Sequence, residues 1–125
     1  MNNKNKGRKN NKSGHFAELI ARLYLNLKGY RCLAQNYHGI RGTSSGEVDL
    51  IMKKNRTIVF VEVKKRSDID VAAYAVLPKQ KARILRTAEI FLQKNPSFQD
   101  YNIRFDAVLF CFPLKIRHIR NAWIS

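Results

Sequence analysis

The chain has 125 residues, 45% of them hydrophobic, which allows one domain with an ample core and excludes disorder throughout. Its 24 Lys and Arg against 9 Asp and Glu give a net charge of +15, more than solubility requires, and the excess points to a polyanion, nucleic acid ahead of an anionic membrane surface. An apolar run of about 18 residues, the minimum for a membrane-spanning helix, is absent, and the polar stretch from Met1 through Ser13 lacks the apolar core of a secretory signal, so the expected setting is the cytoplasm without membrane attachment.

Residues 1–13 carry Lys4, Lys6, Arg8, Lys9 and Lys12 among Asn and Gly, with no apolar residue beyond Met1, and read as a disordered basic arm ahead of a single domain over 14–125. The arm either adds nonspecific phosphate contacts or is a solvated tail. From Ser13, a suitable N-cap, the residues Phe16, Leu19, Ile20, Leu23 and Leu27 recur at helical spacing up to Gly29 and predict an amphipathic first helix with that stripe buried. Tyr30 to Tyr37 reads as a strand, and His38 to Gly46, with its glycines and serines, as a loop. Val48 to Met52 and Thr57 to Lys64 are the clearest strands, joined through the polar hairpin segment Lys53-Lys54-Asn55-Arg56.

Pro78 suits the first turn of a second helix, with Ile84, Leu85, Ala88, Phe91 and Leu92 as its buried stripe and Asn95-Pro96 as its end. Lys79, Arg83 and Arg86 share the outer face, where they either track a phosphate backbone or are simply solvated. Ile103 to Phe112 reads as a further strand and Ile116 to Ile124 as a last one. The order αβββαβ predicts an α/β fold, a mixed sheet flanked by helices. Cys32 and Cys111 are far apart in apolar segments and read as reduced, buried thiols; His15, His38 and His118 form no close His or Cys pair and read as surface or packing residues.

The residues that carry chemistry lie in the hairpin. Strand alternation puts Ile58, Phe60, Glu62 and Lys64 on one face and Val59, Val61 and Val63 on the other. With a loop of two or four residues, Asp49 is expected opposite Phe60 and Glu47 opposite Glu62 on the same face; an odd loop turns Asp49 away. Carboxylates about 4 Å apart repel by roughly 4 kcal/mol at an effective dielectric of 20, so a half-buried group of them calls for a compensating cation. Oxygen ligands on an open site favour Mg²⁺ or Mn²⁺, and Lys64 would steady the attacking water or developing charge. The bland alternative is a solvent-facing Glu62–Lys64 ion pair on an edge strand, worth little.

Gly46-Glu47-Val48-Asp49-Leu50-Ile51 followed by Glu62-Val63-Lys64 resembles the PD-(D/E)XK nuclease motif, with Asp49 as its first acid. Adding Gly14-His15-Phe16-Ala17-Glu18, Asn36, Val59 to Lys64 with Arg66, and Arg104-Phe105-Asp106, the chain from about residue 14 to 109 is similar to the YraN-like family of small bacterial proteins, whose fold is similar to archaeal Holliday-junction resolvases. The resemblance implies a nuclease-like fold, metal binding by Asp49 and Glu62 with Val63 as a further metal contact, a water-assisting role for Lys64, and approach of Glu18 from the first helix. By periodicity alone Glu18 lies nearly opposite the apolar stripe, beside Ala21, Arg22 and Leu25, where it is either solvated or on a second covered face. The family tends to carry a lysine at the start of the second helix where this chain has Gln80, between Lys79 and Lys81; these three, with Arg83, Arg86 and Arg66, form the expected nucleic-acid contacts. The glycine usual before that helix is absent from Asp70-Val71-Ala72-Ala73-Tyr74. Asp106 reads as a structural partner of Arg104.

Two functions are compatible with these residues. One is a Mg²⁺- or Mn²⁺-dependent endonuclease on DNA, including branched or damaged forms, with DNA favoured over RNA. The other is a nucleic-acid-binding module that keeps the nuclease fold without cleavage. Either a monomer or a homodimer is compatible with the sequence.

Overall fold

The computed structural model describes residues 2–40, 46–66, 78–111 and 115–122. Helix α1 (Asn2–Leu27) leads into strands β1 (Arg31–His38), β2 (Glu47–Lys54) and β3 (Thr57–Arg66). Helix α2 (Pro78–Lys94), a 3-10 turn at Pro96–Phe98, and strands β4 (Asn102–Cys111) and β5 (Lys115–Ile119) complete the chain. The strands form one sheet in the order β1-β2-β3-β4-β5. Neighbours are antiparallel except β3 and β4, which run parallel. Parallel neighbours need a crossover, and α2 lies in it. The fold is therefore α/β, a mixed five-stranded sheet with two helices in the order αβββαββ, which contains the expected αβββαβ run and is consistent with a nuclease-like core.

Each helix covers its own face of the sheet. On one face Ile84, Ala88 and Phe91 of α2 pack on Ile51, Ile58, Phe60 and Ala107. The Phe60 ring stacks on Phe105 at 5.5 Å and meets Phe91 edge-on at 5.9 Å, a geometry that adds to the area term. On the other face Ala21 and Leu25 of α1 pack on Leu50, Met52, Val59, Val61 and Val108. Residues Ile51 to Met52 and Ile58 to Val61 are almost completely removed from water, so β2 and β3 are the centre of the molecule.

Three features extend or correct the expectations. The backbone is helical from Asn2, so α1 includes residues 2–13 of the expected basic arm. Once the Ala17–Leu27 part is nucleated by packing, each preceding residue need only propagate the helix. Second, α1 does not bury the expected stripe: Phe16, Leu19, Leu23 and Leu27 are 55%, 42%, 47% and 89% exposed, whereas Ala17, Ala21 and Leu25 are buried. Small side chains let the helix axis approach the sheet closely, and the bulkier residues are left to the side. Third, the hairpin turn is Asn55-Arg56 alone, since Lys54 pairs with Thr57 and Leu50 with Val61. Asn55 takes φ 54°, a left-handed conformation that Asn tolerates better than most residues. Lys53 and Lys54 stay in the strand because their stems lie along aromatic rings, with the ammonium groups 5.6 Å from the Tyr101 centroid and 5.0 Å from that of Tyr30.

Candidate active site

The two-residue turn fixes where the acids meet. One step past the Leu50 and Val61 pair stand Asp49 and Glu62, whose side chains hydrogen bond; the expected pairing of Asp49 with Phe60 needs four loop residues and is not what a two-residue turn gives. Phe60 faces Ile51, not Asp49. The two acids still share a side of the hairpin, because any even loop length conserves the pleat.

Asp49 also marks a break in β2. Val48 packs with Ile51 on the α2 side of the sheet while Leu50 and Met52 pack on the α1 side, so strict alternation fails at this residue. In the β1 ladder Tyr37 pairs with Val48 and Gln35 with Leu50, which leaves Asn36 opposite Asp49. Asn36 has φ 49°. This left-handed residue turns the edge strand locally and frees its side chain to hydrogen bond Glu18 of α1. Glu18 is half-buried beside the covered Ala17 and Ala21, and the charges of Asp49 and Glu47 act on it. Acids from the helix and from two strands thus converge on one end of β2.

The electrostatics of the pair are unfavourable. Burial, then the charge of Glu62, push the Asp49 carboxyl up to about 7, against the opposing hydrogen bond from the Val63 amide. That bond is 2.7 Å long, from Val63 N to Asp49 Oδ2. Burial also raises Glu62, which Lys64 and a hydrogen bond with Asp49 pull back down. A carboxyl and a carboxylate sharing one proton, held by Asp49, account for both directions. Burial, then Asp49, raises Glu18 as well. Lys64 Nζ stands 3.6 Å from Glu62 Oε1. This is not the solvent-facing edge pair of the bland reading: β3 is the central strand, and Glu62 is 9% exposed.

Among the described residues no group of three or more His, Cys, Asp or Glu stands close enough to hold a metal unaided. Asp49 and Glu62 supply a two-carboxylate set. Mg²⁺ commonly takes one or two carboxylates and completes its shell with water and substrate phosphate, so the donors fit such an ion. Burial of two facing acids leaves this place short of positive charge. Val63, expected as a further metal contact, uses its amide to hold Asp49.

The rim is basic on the α2 side. Gly46 N donates to Arg83 O at 3.4 Å, and the Thr87 hydroxyl lies within hydrogen-bonding reach of the carbonyls of Gly46 and Arg83. A Cβ at Gly46 would come within 3.1 Å of Arg83 Cβ, so only glycine lets the start of β2 dock on α2 without displacement. That docking brings exposed Arg83 to the strand that carries Asp49; Arg86 is exposed and Lys81 half-buried on the same helix. Lys79 and Gln80 lie in the first turn of α2 and Arg66 ends β3, but their side chains are outside the described residues, as are residues 70–74. Sequence reasoning did not find the roles of Asn36 and Thr87; the only signal was the Asn36 within the family resemblance.

Asp106 is structural, as expected, and stands beside Val61 in the neighbouring strand, on the α1 face of the sheet. Its side chain is wholly buried, accepts from Arg104 Nε and Nη2 at 2.9 Å each, from His118 Nε2 at 2.7 Å and from Asn121 N at 3.1 Å. These bonds outweigh burial and hold its pKa low. His118 is thus a packed histidine, and Cys32 is a free, half-buried thiol. The Cys111 side chain lies outside the described residues. No helix among the described residues is long and apolar enough to cross a membrane.

Comparison with known proteins agrees with the family resemblance. Residues 17–110 match the model of the Uncharacterised protein family UPF0102. The UPF0102 protein amb4503 of Paramagnetospirillum magneticum is 42% identical over 111 residues, covering 88% of this chain and 85% of that protein. A UPF0102 protein of Rhodopseudomonas palustris is 45% identical over 97 residues (78% and 73%), and bll0669 of Bradyrhizobium diazoefficiens 40% over 112 residues (90% and 81%). With the matched segment holding Glu18, Asn36, Asp49, Glu62, Lys64 and Asp106, the chain belongs to UPF0102, the YraN family that its motifs resemble.

Proposed function

We propose that this protein is a metal-dependent phosphodiester hydrolase acting on DNA, with Asp49, Glu62 and Lys64 as its catalytic core. The observation that carries the reading is the buried Asp49–Glu62 pair beside Lys64, two acids that burial pushes upward and that hydrogen bond to each other. Buried acids facing each other cost stability, and in a chain of charge +15 a binding surface for a polyanion gains nothing from them. A divalent cation, Mg²⁺ or Mn²⁺, supplies Lewis-acid polarisation of the phosphodiester and a water of lowered pKa. Asp49 and Glu62 hold that ion, and the Val63 amide keeps the Asp49 carboxylate aimed. Lys64, anchored by Glu62, places its ammonium where negative charge grows on the phosphoryl oxygens. Glu18, positioned by Asn36, would add a third acid toward that ion, since the charges of Asp49 and Glu47 already act on it. Arg83 and Arg86, with Lys79, Lys81 and Arg66, track the backbone of the nucleic acid. The free thiol of Cys32 suits a reducing cytoplasmic setting.

The second reading is a nucleic-acid-binding module without cleavage; the two-carboxylate donor set, short of a full cage, is the observation in its favour. Cleavage of single-stranded, duplex and branched DNA, and of RNA, with Mg²⁺ or Mn²⁺ separates the two. Products from at least one DNA form, lost in Asp49→Asn and Glu62→Gln, support the hydrolase. Salt-sensitive binding with no cleavage of any substrate leaves the binding module.

A further inference from the structure

At the hairpin-turn end of the sheet, a recess of about 160 Å³ opens between Tyr30, Lys54, Asn55, Thr57, Arg104 and Arg120. Thr57 to Glu62 is five residues of extended strand, so the recess lies about 17 Å along β3 from the carboxylate pair. It is a separate place on the molecule, and its chemistry is independent of the hydrolase reading.

Its lining holds three cations and no acid. Asp106 lies fully buried behind it with both oxygens engaged by Arg104, His118 and Asn121. Asp106 therefore balances Arg104 and nothing else at the rim. Neither Lys54 nor Arg120 pairs with an acid among the described residues. Lys54 and the backbone that carries Arg120 are nevertheless held in place. Lys54 Nζ donates to the Lys28 carbonyl at 2.8 Å and lies over the Tyr30 ring, using one of its three N–H bonds and leaving two. Arg120 is carried on the turn after β5, whose next residue, Asn121, has φ 52° and is pinned through its amide to Asp106. Arg104 Nη2 also donates to the Tyr30 hydroxyl, which fixes the wall between them.

His118 strengthens this frame. Lys28 Nζ can only donate, so the His118 Nδ1 that meets it at 2.9 Å is an acceptor, and the ring proton is on Nε2, directed at Asp106. The imidazole brings no negative charge to the recess. The result is a preformed, polar, cation-lined hollow, furnished with the Thr57 hydroxyl and the Asn55 amide as further donors and too small for a bulky organic ligand.

We infer that this recess binds a phosphate group, with Lys54 and Arg120 as its charged ligands and Thr57 and Asn55 completing the contacts. Tetrahedral oxyanions suit it because several oxygens must be met at once by donors on separate chain segments. A free phosphate compound and a backbone phosphate of a nucleic acid present the same chemistry.

The test is an amide-resolved NMR titration of the full chain with inorganic phosphate, pyrophosphate and a short DNA duplex, repeated on Arg120→Ala, Lys54→Met and Asp49→Asn. Pyrophosphate should shift the amides of Asn55, Thr57 and Asn121, with affinity lowered about tenfold in Arg120→Ala and in Lys54→Met. Asp49→Asn should leave it unchanged, which keeps this result independent of the carboxylate site. Arg120 is exposed, so that variant keeps its fold even if Lys54→Met does not. Shifts of the same amides by the duplex, with competition by pyrophosphate, identify the source as nucleic acid; duplex binding that leaves them still identifies a free phosphate compound. Absence of pocket shifts with all three probes, or equal affinity in wild type and Arg120→Ala, overturns the inference.

Discussion

Replacing Asp49 by Asn should stabilise the protein, and the gain should depend on pH in a defined way. The Asp49 carboxyl sits at about 7 in the fold against 3.8 as its ordinary value, raised first by burial and then by Glu62. The folded state thus binds the proton more tightly than the unfolded chain. Stability from this group is fully present below about pH 4 and declines as pH rises to about 7, beyond which no more is lost. About three pH units at 1.4 kcal/mol each set an upper bound of about 4 kcal/mol on that loss. Asn keeps the geometry: its oxygen can still accept from Val63 N and its amide can donate to Glu62. Its melting temperature should exceed that of wild type by about 5–15 °C at pH 8, and the gap should close toward pH 4. Calorimetric melting without divalent ions across that range is the assay. A variant less stable than wild type at pH 8, or a gap independent of pH, would refute the shared-proton account.

Three other perturbations have defined outcomes. Asp106→Ala should cost about 3–5 kcal/mol in denaturant unfolding, because Arg104 and His118 are left buried without their partner; a loss below about 1 kcal/mol would show the network is slack. In wild type the low pKa of Asp106 means its contribution is present above about pH 4 and lost as pH falls below it, opposite in sign to that of Asp49. Thr87→Val should cost about 1–2 kcal/mol and weaken the docking of Gly46 on α2, seen as faster amide exchange at Gly46. Duplex binding should weaken with salt at a slope of about −0.9 per phosphate contact, and Arg83→Ala should lower that slope by about one; a flat response would remove the electrostatic premise.

Periodicity accounts for most of what was legible in the sequence. The alternation in Thr57 to Lys64 placed Ile58, Phe60 and Glu62 on one side of β3, and the spacing of Ile84, Ala88 and Phe91 identified the buried face of α2, because in both the apolar residues are also the large ones. Helix α1 breaks that equivalence. Ala17 and Ala21 are buried through close approach, whereas Phe16 and Leu23 are on the flank, so a pattern weighted by side-chain size picks the wrong stripe. The same error made Glu18 look remote from the core when it flanks the buried face. Four polar residues concealed a two-residue turn, because Lys53 and Lys54 are polar only at their tips. The site needed more than the hairpin: the turn of backbone at Asn36 and its bond to Glu18 bring together residues from two elements that no local pattern relates. The Asp106 network likewise gathers Tyr30, Arg104 and His118 from distant parts of the chain, and only the fold brings them into contact.

The central claim is that Asp49 and Glu62 form a place for a divalent cation with Lys64 beside it. Titration calorimetry of the folded protein with Mn²⁺, alone and with DNA, tests it most directly. Wild type should bind one ion and release up to one proton near pH 7, as Asp49 gives up the proton it shares. Asp49→Asn should bind none, while Lys64→Ala should still bind and lose only cleavage. No binding by folded wild type, with or without DNA, or binding that Asp49→Asn retains, would contradict the account.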